Sequence, residues 1–164
     1  MTAIDEMLER NKTAAVYHPS GLGPSPLKGL AMVLCMDCRV DAHVAFQLNP
    51  GEIHLMRNAG GVVSDDVIRS LAISQHALGT REVMVVQHTK CGMHGLDENA
   101  LALRIEAAAG TPPNANVRFG AFTDLETSVR ASVARLRASS LLLHRDRIRG
   151  FVYEVETGRV REID

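Results

Sequence analysis

Two short apolar runs dominate the pattern along the chain, residues 30–36 (LAMVLCM) and 81–88 (REVMVVQH). Runs of this length without polar alternation mark strands buried on both faces of a parallel sheet. Residues 53–58 (IHLMRN), after an Asn49-Pro50-Gly51 turn, predict another strand, and residues 40–48 a short helix before it. Ser64-Asp65-Asp66 predicts a helix start with acidic groups in the positive first turn. Ile68, Leu71, Ala72 and Leu78 form that helix's apolar face and Gly79 its stop. Residues 97–109 predict an Ala- and Leu-rich helix ended by Gly110 and Pro112-Pro113. Thr123-Asp124-Leu125-Glu126 predicts a capping box opening a helix that carries Val129, Val133 and Leu136. Residues 149–156 (RGFVYEVE), Thr157-Gly158 and residues 159–163 predict a closing hairpin. At the other end Thr2 caps a first helix with Asp5, and Ile4, Met7 and Leu8 make a stripe too narrow to bury much. The Pro- and Gly-rich stretch 18–29 (HPSGLGPSPLKG) then leads to the first strand.

Strands alternating with helices predict an α/β fold, a three-layer α/β/α sandwich with a mostly parallel central sheet. The expected order is 2-1-3-4 plus a C-terminal edge strand, in a single domain over 1–164 with residues 1–29 as an N-terminal helical arm. In that order the first and third strands are neighbours whose connections leave in opposite directions. The crevice at their carboxyl ends is where open α/β sheets bind ligands.

Composition changes this picture only by exclusion. A formal net charge of −1 over 164 residues gives no electrostatic reason to expect nucleic acid or an anionic membrane as partner. No apolar run approaches the roughly 20 residues needed to span a bilayer, and the acidic, amphipathic start (MTAIDEMLERNK) is unlike a signal peptide, so a cytoplasmic protein is expected. Three cysteines, an odd number, fit reduced thiols kept for metal or redox chemistry better than disulfides.

Each apolar run ends in soft ligands: Cys35-Met36-Asp37-Cys38-Arg39 after the first, His88-Thr89-Lys90-Cys91-Gly92 at the end of the other. Cys35, His88 and Cys91 make a two-thiolate, one-imidazole set. Structural zinc sites close with four protein ligands, whereas three leave a position for water or substrate, so the set points to one catalytic Zn2+ per chain. Alternation of side chains in an extended segment puts Cys35, Asp37 and Arg39 on one side, and makes Cys38 a small buried hydrophobe on the other. Cys91 reaches back across a turn permitted by Gly92. Asp37 either completes the tetrahedron or pairs with Arg39, stays ionised, and accepts a hydrogen bond from solvent on the metal. His94 is a proton-shuttle candidate or a plain loop histidine, and His18, His43, His54, His76 and His144 are scattered. Gly60 and Gly61 suit either a backbone approach to substrate or a tight turn, and Val62, Val63 and Met93 either an apolar wall or ordinary core.

Cys-x-Asp-x-Arg followed by His-x-x-Cys-Gly, with Arg57-Asn58-Ala59-Gly60-Gly61 and Asp65-Asp66-Val67-Ile68-Arg69-Ser70-Leu71 between them, resembles the β-class carbonic anhydrases, in particular their compact bacterial members. The similarity runs from about Leu30 to Met93 and includes the Gly150-Phe151-Val152-Tyr153 strand. It implies zinc on Cys35, His88 and Cys91, a catalytic Asp37–Arg39 dyad, reversible hydration of carbon dioxide to bicarbonate, and a homodimer with the N-terminal helix laid across its partner. Two departures stand out: Cys38 occupies a position where the family commonly has Ser or Ala, and the aromatic residues of a regulatory bicarbonate site have no obvious counterparts. The same site could instead hydrolyse carbonyl sulfide or carbon disulfide. A non-catalytic zinc or redox-sensing scaffold, with Asp37 permanently on the metal, is the alternative from another class.

Overall fold

The computed structural model describes residues 1–114 and 117–164. At its centre lies β1 (Leu30–Cys35), buried from Ala31 to Cys35, flanked in parallel by β2 (Ile53–Asn58) and β3 (Glu82–His88). β4 (Ile148–Tyr153) continues the parallel set beside β3. β5 (Val160–Ile163) closes the far edge antiparallel to β4 as a hairpin, so the order is β2-β1-β3-β4-β5, as the sequence pattern predicts.

The two faces of the sheet pack differently because successive side chains alternate. Ala31, Val33, Val83, Val85 and Ile148 point toward α3 (Asp65–Leu78) and α5 (Leu125–Ala138), meeting Val67, Leu71, Val133 and Leu136 in the larger core cluster. Burying each of these Leu, Ile and Val side chains contributes about 1.5–3 kcal/mol. Met32, Leu34, Val86 and Tyr153 face the other way, where the short helix α2 (Ala42–Ala45) gives a thinner cover. Phe151, Met84 and Leu55 are only partly buried on that side.

The helix ends follow their sequence signals closely. Ser64 caps α3, and Gly79 ends it in the left-handed conformation (φ 79°), a backbone state that glycine adopts without a Cβ clash. Asp97 caps α4 (Glu98–Ala109), and Gly110 ends it in the same way. The capping box expected at Thr123 does not form. Asp124 is the cap instead, its carboxylate accepting the Thr127 N–H at 2.8 Å, while Glu126 is drawn into ion pairs with Arg130 and Arg161. Arg135 ties α5 to the start of α3, donating to the Val63 carbonyl and the Asp65 carboxylate.

The first helix, α1 (Ala3–Ala14), carries the Thr2–Asp5 capping box and buries none of its residues. Ile4 is 73% exposed, and Met7, Leu8, Val16 and Tyr17 are also exposed. The stretch after it is held to the sheet by His54, whose ring bonds the Pro24 carbonyl at 2.9 Å and the Ser74 hydroxyl at 2.7 Å. Among the described residues no helix is long and apolar enough to cross a membrane.

Candidate metal centre and its dyad

β1 and β3 are hydrogen-bonded neighbours, and each ends on a ligand candidate, Cys35 and His88. A short turn after His88 returns the chain so that Cys91 reaches the same point. The left-handed residue of that turn is Lys90 (φ 55°), not Gly92, a conformation uncommon for a side chain with a Cβ. Cys35, His88 and Cys91 are all buried, and their Sγ and ring nitrogen atoms lie within 4.8 Å of one another.

Two observations match this cluster to a soft divalent cation, and a third shows what its thiols lack without one. The Cys35 and Cys91 sulfurs are 3.9 Å apart. Two thiolates on a tetrahedral zinc, at Zn–S distances of ~2.3 Å, would be about 3.8 Å apart. The His88 Nδ1 lies 2.9 Å from the Thr89 carbonyl, to which its N–H donates, leaving the lone pair on Nε2. That buried Nε2 has no hydrogen-bond partner among the described residues. Burial pushes the Cys91 thiol up to about 11, with the adjacent Cys35 adding to the shift against a Met93 N–H that lowers it. Such a thiol ionises near neutrality only with a cation beside it.

Asp37 stands at the rim. Its Oδ1 accepts the Arg39 backbone N–H and Nε, both at 2.9 Å, and its Oδ2 accepts Arg39 Nη2 at 2.7 Å. Oδ2 is also 3.6 Å from His88 Nε2. The Arg39 hydrogen bonds hold the carboxyl well below the usual carboxylate range. Arg39 Nη2 further donates to the Lys90 carbonyl at 2.8 Å, joining the Cys35 loop to the Cys91 loop.

One expectation needs correction, and two open alternatives are decided. β1 ends at Cys35 and the chain turns, so strand alternation does not extend to Arg39. Cys38 is exposed, not a buried hydrophobe. Of the two readings left open for Val63 the structure takes the second: it lies in the core cluster beneath the turn. His94 lies on the loop beyond Cys91, outside the ligand cluster. Its Nε2 bonds the Thr123 carbonyl at 2.9 Å and its ring tilts against Phe122. Two residues gain weight. Arg57 donates to the carbonyl of Cys35 at the end of β1 and to those of Asp37 and Val40 beyond it. Gly61 sits so close to the strands that a Cβ would lie 2.9 Å from both the Cys35 nitrogen and the Val86 oxygen. Their one signal in the sequence is the Arg57-Asn58-Ala59-Gly60-Gly61 string ending a strand.

A cavity of about 160 Å3 opens beside His88, walled by Thr89, Lys90, His94, Phe122 and Leu125. It is smaller than the roughly 300–1,000 Å3 pockets that hold drug-sized ligands, so it suits a molecule of a few atoms. A roomier cavity of about 630 Å3 lies between α5 and the β4–β5 edge, lined by none of the ligand candidates.

Known proteins place this arrangement. The chain is 38% identical over 163 residues to β-carbonic anhydrase 1 of Mycobacterium tuberculosis, a match covering 99% of each chain. It is 30% identical over 181 residues to the carbon disulfide hydrolase of an Acidianus strain, covering 97% of this chain and 88% of that one. Its fold superimposes on the crystal structure of a carbonic anhydrase from Streptococcus mutans with a TM-score of 0.92 at 37% identity, covering 100% of this chain and 99% of the other. Residues 30–160 match the family described as carbonic anhydrase. That span runs from the first residue of β1 to the first of β5 and takes in every ligand candidate, so the chain belongs to the carbonic anhydrase family, in its zinc-dependent β class.

Proposed function

We propose that the protein catalyses the reversible hydration of carbon dioxide to bicarbonate and a proton, with one zinc ion held by Cys35 Sγ, His88 Nε2 and Cys91 Sγ. The observation that carries this reading is a three-donor buried cluster with an ionised carboxylate beside it that is already engaged by an arginine. When bound there, zinc supplies Lewis acidity and makes a nucleophile of water near neutral pH. Asp37 remains an anion because one edge of the Arg39 guanidinium and the Arg39 N–H donate to its two oxygens. It therefore acts only as a hydrogen-bond acceptor toward the open side of the cluster, orienting whatever donates to it. Arg39 keeps that carboxylate from completing the donor set, which distinguishes this site from a closed structural one. The Thr89 carbonyl holds the His88 ring through Nδ1, fixing the tautomer that presents Nε2. In the forward direction a C–O bond forms between water and the carbon of CO2, and the proton released leaves to buffer.

The exposed apolar face of α1, with Val16 and Tyr17 after it, supports a homodimer in which this arm lies across the partner. An exposed free thiol outside the ligand set, Cys38, supports a cytoplasmic location. The likeness to a carbon disulfide hydrolase makes that substrate, with carbonyl sulfide, the competing reading. Stopped-flow CO2 hydration with zinc quantified in the same sample, beside sulfide release from CS2 and COS, tests the assignment. Zinc-loaded protein that hydrates CO2 no faster than buffer rejects it, and sulfide release outpacing CO2 turnover transfers the assignment to the sulfur substrates.

A further inference from the structure

Arg57 lies on the edge strand β2, in register with Leu34, one residue before the end of the sheet's ligand row. Its side chain crosses the end of β1 and spends one edge of its guanidinium on main-chain oxygens. Nε donates to the Cys35 carbonyl at 2.9 Å, and Nη2 to the carbonyls of Asp37 at 2.7 Å and Val40 at 2.8 Å. These belong in turn to the first thiol ligand candidate, the dyad's acidic residue and Val40, the first buried residue past Cys35. The Asp37 carbonyl also accepts the Val40 N–H at 3.0 Å, and the Met36 N–H donates to the Asn58 carbonyl at 2.8 Å. The segment 36–40 is thus wrapped around one guanidinium and referenced to β2 as well as held by its own turn. Arg39 fixes the Asp37 carboxylate; the backbone that carries it is fixed by a different arginine, on a different strand.

We propose that Arg57 is a positioning residue of the metal centre: by gathering the carbonyls of Cys35, Asp37 and Val40 it sets the spacing between the Cys35 thiol, the Asp37 carboxylate and the His88 imidazole. The proposal rests on the reading of Cys35, His88 and Cys91 as a zinc site. Lysine at this position carries the charge but not a planar fork able to serve three acceptors, so it is a partial substitute, and glutamine a poorer one. Residues one step behind metal ligands typically alter metal affinity about 10–100-fold when changed, and that is the size of effect expected here.

The experiment compares wild type, Arg57→Lys, Arg57→Gln and the exposed-helix control Arg69→Gln, with folding checked by circular dichroism. Two readouts are used: zinc affinity by chelator competition, and the visible ligand-field spectrum of the cobalt(II)-substituted protein. Arg57→Gln is expected to weaken zinc binding about 10–100-fold and to shift the cobalt bands. Arg57→Lys should lie between it and wild type, and Arg69→Gln should overlay wild type. Folded Arg57 variants whose affinity and cobalt spectrum match wild type, even with lowered thermal stability, overturn the proposal. If Arg57→Gln does not fold, the lysine variant decides on the same readouts. Wild type that takes up no stoichiometric cobalt or zinc defeats the metal reading itself, a distinct failure.

Discussion

Replacing Gly61 by alanine probes how tightly the turn after β2 is pressed onto the ligand strands. Gly61 is buried with φ +60°, and a Cβ there would lie 2.9 Å from both the Cys35 nitrogen and the Val86 oxygen, closer than real Cβ contacts come. Both neighbours are main-chain atoms of β1 and β3, so neither can rotate away. Gly79 is the natural control: its φ is +79°, yet nothing lies within 4 Å of where its Cβ would be. Gly79→Ala therefore carries only the left-handed backbone penalty, about 1–2 kcal/mol. Gly61→Ala carries that penalty plus overpacking of about 1–3 kcal/mol, for a total of roughly 2–5 kcal/mol. At about 2–4 °C per kcal/mol for a chain of this size, Gly61→Ala should melt roughly 2–12 °C below Gly79→Ala. Thermal and urea unfolding of the two variants, at matched protein concentration and metal content, measures the difference. Moving the Cys35 nitrogen also displaces a ligand residue, so zinc affinity should fall in the first variant alone. Equal destabilisation of the two, with equal zinc affinity, would refute the close approach and the reasoning built on it.

Other expectations follow from the same geometry. Arg39→Gln removes the side-chain bonds that do most to depress the Asp37 pKa and leaves the backbone N–H of residue 39 in place, so the carboxyl should protonate at higher pH. The acid limb of a stopped-flow pH–rate profile should move upward, with a loss on the order of 10²-fold at the optimum; an unmoved limb contradicts the dyad. In the metal-free protein the folded state holds the Cys91 proton more tightly than the unfolded chain, so stability should fall as pH rises from about 9 toward about 11 and stay flat below that, a trend read by urea titration. Cys91→Ser should lose that slope together with stoichiometric zinc, measured by atomic absorption. Leu136, fully buried between α5 and the sheet, should cost about 2–5 kcal/mol as alanine while leaving zinc content unchanged in the folded fraction.

The sheet order and most helix ends were legible because they rest on local signals: unbroken apolar runs for β1 and β3, Ser64 and Gly79 around α3, Asp97 and Gly110 around α4. The convergence of Cys35, His88 and Cys91 was legible too, since adjacent parallel strands must end side by side. What escaped depends on partners distant in sequence. Cys38 is exposed because strand alternation stops at Cys35, where Arg57, on another strand, bonds the segment that turns away. The α5 cap moved from Thr123 to Asp124 because Glu126 is occupied by Arg161, a residue of β5. The turn before Cys91 falls on Lys90 rather than Gly92. Its carbonyl is tethered by Arg39, a contact no local pattern reveals.

The cage of donors is mechanically lopsided. Cys35 and His88 terminate strands whose neighbours are hydrogen-bonded along their length, so displacing either means prising apart the middle of the sheet. Cys91 rides a three-residue excursion through a left-handed lysine, tied down by the Thr89 N–H on the Tyr153 carbonyl, the Val155 N–H on the Thr89 hydroxyl, the Arg39 guanidinium on the Lys90 carbonyl and an ion pair between Lys90 and Glu156. Were an ion held there, the Cys91 flank, carried by a loop, would be the side of the donor set that yields before the two strand ends. Chelator-driven extraction should then outpace global unfolding and respond to ionic strength, giving a centre whose exchange kinetics are governed by one side of the doorway.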